Sequence, residues 1–125
     1  MIWTIFQVAL GGAIGATGRY LTGVATLRFF GPGFPWGTLV VNSLGSVLMG
    51  MLVVVLAHKS GTRLAPFLMT GVLGGFTTFS AFSLDALTIY ERGQLGLAGV
   101  YVAGTLVLTL GGIALGITLT RGFFA

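Results

Sequence analysis

Of the 125 residues, 55% are hydrophobic and only 6% charged, with a mean hydropathy of +1.04; soluble globular domains carry roughly a quarter charged residues, so the composition is that of an integral membrane protein. The formal net charge of +4 does not indicate nucleic acid binding, because the 6 Lys and Arg residues are scattered over links and ends and form no patch. With no cysteine, neither a disulfide framework nor a thiolate metal site can be built.

Windows without Asp, Glu, Lys, Arg or His run over residues 2–18, 37–57, 64–84 and 93–120. A helix of about 20 residues, at about 1.5 Å per residue, covers the hydrocarbon of a bilayer. The sequence therefore predicts transmembrane helices over 2–27, 37–57, 64–87 and 94–120, forming one all-α domain over residues 1–125. The first span absorbs Arg19, which near one end can reach the interface or face protein. Met1-Ile-Trp-Thr-Ile-Phe6 has no basic segment, so no cleaved signal peptide is expected. Links are expected over 28–36, with Pro32, Pro35 and interfacial Trp36, over 58–63, and over 88–92.

Four spans place both ends and the 58–63 link on one side of the membrane. Lys59, Arg63 and Arg121 then lie on that side, and Arg28 and Arg92, with Arg19 if it snorkels, on the other. Such balance gives almost no orientation preference under the positive-inside rule, so insertion in both orientations and an antiparallel homodimer are expected. Small-xxx-small pairs at Gly11/Gly15, Gly12/Ala16, Gly71/Gly75 and Gly112/Gly116 predict close helix packing, first of all within the chain.

Enzymatic templates fail. His58 sits in a link and the acids are Asp85 and Glu91 alone, too few for a metal cluster or a Ser-His-Asp arrangement. What remains at membrane depth is neutral and polar. Asn42, after Thr38 in the second span, needs partners in hydrocarbon; an interhelical hydrogen bond and a donor lining a pathway both satisfy it. In the third span Gly74 and Gly75 are poor helix formers in series, and Thr77, Thr78 and Ser80 follow, so a helix broken near its middle and an ion site are expected there. Phe79 and Phe82, three apart, share a helix face; taken alone such a pair is core or lipid-facing, and beside hydroxyl and amide donors it can also offer positive ring edges to an anion. In the fourth span Thr105 and Thr109 share a face, with a polar role expected for Thr105 and packing for Thr109.

Gly11-Gly-Ala-Ile-Gly-Ala-x-x-Arg19-Tyr20, Trp36-Gly-Thr-Leu-x-Val-Asn42-x-x-Gly-Ser46 and Gly74-Gly-Phe-Thr-Thr-Phe-Ser-Ala-Phe82 closely resemble the Fluc, or CrcB, family of fluoride channels, over the whole chain. The resemblance implies a passive fluoride channel of the cytoplasmic membrane that confers fluoride resistance: a dual-topology antiparallel homodimer in the lipid bilayer with two pores. It implies Phe79 and Phe82 as pore phenylalanines, Asn42 as the pore asparagine, Thr38, Ser80 and Thr105 as polar lining, and Arg19 near the vestibule. It also implies a central structural sodium ion held by the backbone carbonyls of Gly74 and Thr77 from both subunits. Ala81 departs from a frequent threonine, and Thr105 from a frequent serine. A small proton-coupled multidrug exporter is the alternative; it needs a carboxylate at mid-membrane, whereas Asp85 lies nearer an interface.

Overall fold

The computed structural model describes residues 1–59 and 62–125, and over these it is helical with no strand. The elements are α1 (Ile2–Phe30), α2 (Trp36–His58), a π-helical stretch π1 (Pro66–Leu73), a short α3 (Gly74–Phe76), α4 (Ser80–Glu91) and α5 (Leu95–Phe124). Trp36–His58, Pro66–Glu91 and Leu95–Phe124 are each long and apolar enough to cross a membrane. The 29-residue α1 is about 43 Å long, ample for a crossing, but Gln7, Arg19 and its glycines make it less apolar.

Several helices outrun their expected ends. α1 continues to Phe30 and stops at Gly31, whose φ of 79° needs a residue without Cβ; its N–H closes the last turn onto Leu27 O at 2.9 Å. α4 runs through residues 88–91, expected as a link, and the turn is made instead at Gly93, φ 82°. In the expected 58–63 link, His58 ends α2, while Ser60 and Gly61 lie outside the described residues.

The third span is broken, but not at its glycines. Gly74 and Gly75 are helical, and the chain leaves the helix at Thr77, where φ −92° and ψ 159° are extended. α4 restarts at Ser80. The glycines serve approach rather than rupture. A Cβ on Gly75 would sit 2.8 Å from Gly12 O, and one on Gly71 2.8 Å from Gly11 Cα; Gly11 and Gly15 press in turn on the backbone at Phe67 and Val72. These contacts lay α1 against π1 and α3. Gly50, Gly112 and Gly116 do the same between α2 and α5, against the backbone of Ile113, Ser43 and Val47. Gly11/Gly15, Gly71/Gly75 and Gly112/Gly116 therefore close helix pairs inside one chain, where dispersion rather than hydrophobic burial rewards contact in lipid.

The remaining core lies between α4 and α5, where Phe82, Ile89, Ala98 and Tyr101 are buried together with Phe34 packed against them. Elsewhere large apolar side chains face outward along every long helix, as suits a surface whose solvent is lipid.

Candidate functional site: a clasped helix break between two cavities

At the break the helical hydrogen-bond ladder is replaced by side chains. Asn42, buried on α2, donates from Nδ2 to Thr78 O at 2.9 Å and accepts from Thr78 N–H at Oδ1, 2.8 Å. The Thr78 hydroxyl accepts the Ala81 N–H at 3.2 Å, the service an N-cap side chain gives to the first turn of a helix. Arg19 Nε reaches across from α1 to Gly75 O at 3.0 Å. Thr77 turns back on its own helix, its hydroxyl donating to Leu73 O at 2.9 Å.

This rerouting releases particular carbonyls. In a continuous helix Gly74 O would receive the Thr78 N–H and Thr77 O the Ala81 N–H. Both donors are diverted, to Asn42 Oδ1 and to Thr78 Oγ1. Gly74 is exposed on the protomer surface and Thr77 half-exposed, and their carbonyls, which the family resemblance implies as cation ligands, are among those that lose a helical donor at the break.

Two cavities meet here. A groove of about 440 Å³ is lined by Asn42, Ser46, Gly74, Thr77, Thr78, Phe79, Phe82, Thr105 and Thr109, among others. A wider cleft of about 660 Å³ is lined by Arg19, Tyr20, Trp36, Thr38, Thr78, Asp85 and Arg92, with the loop at 31–35. The structure therefore gathers Asn42, Phe79, Phe82, Thr105, Gly74 and Thr77 on the groove and sets Arg19 and Thr38 on the cleft. Ser80 lies on neither lining; it is exposed, with Oγ 3.3 Å from Thr78 Oγ1.

The aromatic pair is asymmetric. Phe79 stands in the break, 76% exposed, whereas Phe82 is 8% exposed; their ring centroids are 5.4 Å apart at 74°, edge to face. Phe82 is backed by Tyr101 at 5.3 Å, and Tyr101 by the edge-on ring of Phe34 at 5.4 Å. Tyr101 is 1% exposed and donates to Asp85 Oδ2 at 3.2 Å, so Asp85 is a paired acid at the cleft wall. On α5, Thr109 donates to Thr105 O at 2.7 Å, while the buried Thr105 hydroxyl has no partner.

The residue pattern did not single out Tyr101, and it counted Thr78 among the hydroxyls clustered at the break without a role of its own. The signal for Tyr101 is its spacing: Tyr101, Thr105 and Thr109 recur every fourth residue, on one helix face. The signal for Thr78 is its place in the Thr77, Thr78 and Ser80 cluster, while its bonds come from Asn42 on another helix.

The sequence model of the family described as CrcB-like protein, camphor resistance (CrcB), matches residues 6–117. The chain belongs to the CrcB family. Among curated relatives, a protein of Cereibacter sphaeroides is 64% identical over 125 residues, the full length of both chains. One of Ruegeria sp. is 58% identical over 98% of each chain, and one of Agrobacterium fabrum 51% identical over 96% of this chain and 98% of its own. All three carry the name fluoride-specific ion channel FluC. The three relatives cover 96% or more of this chain, and the clasped break falls well inside the segment the family model matches.

Proposed function

We propose that the chain is a fluoride-selective channel through which fluoride leaves the cell passively, with no catalytic step. The observation that carries this reading is the groove at the break: it presents amide, hydroxyl and aromatic-edge groups and no carboxylate. Fluoride is small and strongly hydrated, so a pathway must replace its water with several donors while holding it weakly enough to release. The second Nδ2 hydrogen of Asn42, the unpartnered Thr105 hydroxyl and the edges of Phe79 and Phe82 are donors of that kind. Arg19 and Thr38 stand on the cleft from which the anion enters, and Ser80 adds an exposed hydroxyl beside Thr78. The proton-coupled exporter is disfavoured because Asp85, the acid in the third span, is tied to Tyr101 away from the groove.

The working unit is a dual-topology antiparallel homodimer in the cytoplasmic membrane, all four long helical segments spanning, with two pores. The exposed Phe79 and Gly74 support it, since both belong to a groove open on one side that a second copy would wall. The near-even split of basic residues between the two sides supports it as well. The donor set also fits a hard cation: across a two-fold axis, Gly74 O and Thr77 O of both copies give four oxygens freed from helical bonds. Bound there, sodium would neutralise converging carbonyl dipoles and hold the two breaks together; the chain's own part is to keep those carbonyls free, through Asn42 and the Thr78 hydroxyl.

Neutral HF entering from acid surroundings dissociates in a more alkaline cytoplasm, and the trapped anion then runs out without coupling. Purified protein in liposomes tests the reading. Fluoride-electrode traces are expected to show rapid fluoride efflux and negligible chloride efflux; absent or equal fluxes would overturn it.

A further inference from the structure

We infer that the Thr78 side chain is the threshold between cleft and groove: its hydroxyl proton is the donor that fluoride meets as it leaves the hydrated cleft, and so helps set selectivity. The inference rests on the reading of the chain as a fluoride channel. Among the described residues, Thr78 is the one the two cavity linings share. Arg19 and Thr38 lie on its cleft side, and Asn42, Phe79 and Thr105 on its groove side.

Its position is fixed although it stands outside any helix. Both backbone polar groups of Thr78 are held by Asn42, so the residue is anchored to α2. Its hydroxyl oxygen is held as well. It accepts the Ala81 N–H at 3.2 Å, while the O–H stays free to rotate. Ser80 Oγ, 3.3 Å away, lies beyond the usual 2.5–3.0 Å of an O–H···O bond, and either hydroxyl can be the donor of that contact. A half-buried hydroxyl with a fixed oxygen and a poorly engaged proton is a ready donor to a small anion. A single neutral donor exchanges for water without forming the deep trap that a buried arginine would make. A larger anion of lower charge density forms a weaker hydrogen bond to one fixed donor, which is the basis for discrimination.

The test compares wild type, Thr78→Ser and Thr78→Val in proteoliposomes, with oligomeric state checked by size exclusion. Thr78→Ser is expected to keep at least about half of wild-type fluoride efflux, and Thr78→Val to lose about tenfold or more while eluting as wild type. Thr78→Val conducting like wild type, or Thr78→Ser failing alongside it, overturns the inference. Wild type without fluoride efflux overturns the channel reading instead. Because the chain has no cysteine, Thr78→Cys supplies a second route that covers poor assembly of the valine variant. A small charged methanethiosulfonate reagent is expected to block its efflux, and fluoride to slow the block at least about threefold. Protection of that kind would not come from a residue that only supports the fold; labelling that is absent or indifferent to fluoride overturns the inference.

Discussion

Asn42 holds Thr78 by both ends of its peptide, accepting from its N–H at 2.8 Å and donating to its carbonyl at 2.9 Å. A primary amide is the side chain that can do both at once, since it carries an acceptor and donors on one planar group. The clasp substitutes for two rungs of the helix and so stabilises an interruption that apolar surroundings would otherwise make costly. It also leaves one Nδ2 hydrogen free on the groove. Asn42 in this way makes the interhelical bond that its sequence position allowed, and the remaining hydrogen is what the proposed pathway role draws on.

Asn42→Asp keeps the acceptor for Thr78 N–H but sets a carboxylate oxygen against Thr78 O. A buried polar group left unpaired costs about 1–3 kcal/mol, more when charged. Fluoride efflux is expected to fall at least about tenfold, with a lower thermal midpoint in detergent. Efflux and melting measured on one preparation check both.

The two phenylalanines should separate in their effects. Phe79→Ile changes a ring 76% exposed on the protomer, so efflux is expected to drop severely with protomer folding little changed. Phe82→Ile removes a ring packed on Tyr101 and is expected to lower both efflux and stability, the latter by about 1–3 kcal/mol, given the cost of altered core volume. Denaturation curves beside flux traces distinguish the pair.

Arg19→Met removes the donor to Gly75 O. Hydrogen bonds to charged groups contribute about 1.5–3 kcal/mol, so a lower melting midpoint is expected, partly restored by Arg19→Lys. Should Arg19 also draw anions into the cleft, the loss of efflux will be larger at low ionic strength, where screening is weak. Flux at two salt concentrations reads this out.

Gly11→Ala and Gly12→Ala are neighbours with opposite expectations. A Cβ at Gly11 meets the backbone of Phe67 and Gly71, which cannot yield, whereas one at Gly12 meets nothing within 4 Å. Gly11→Ala is expected to be poorly expressed and aggregated on size exclusion. Gly12→Ala should behave as wild type or gain slightly, alanine favouring helix by about 1 kcal/mol over glycine.

Replacing sodium by a large organic cation on both sides of the membrane is expected to reduce fluoride efflux, since Gly74 O and Thr77 O would then face one another without a counter-charge. Restored sodium should recover it. Unchanged efflux after exhaustive exchange would speak against a cation there.

The sequence alone determined the membrane class, the helical windows and a third span interrupted near its middle, because charge-free length and clustered glycine and hydroxyl residues act locally. It also determined the small-residue faces, since glycine every fourth residue marks a helix side whatever it packs against. Only tertiary structure decided where the break falls. Gly74 and Gly75 stay helical because α1 needs their missing side chains for close approach, while the chain leaves the helix at Thr77 because Asn42 on α2 competes for the backbone of Thr78. Tertiary structure likewise gave Arg19 a carbonyl partner and brought Tyr101 behind Phe82. Each of these depends on a contact between distant segments, which local spacing can suggest but not fix.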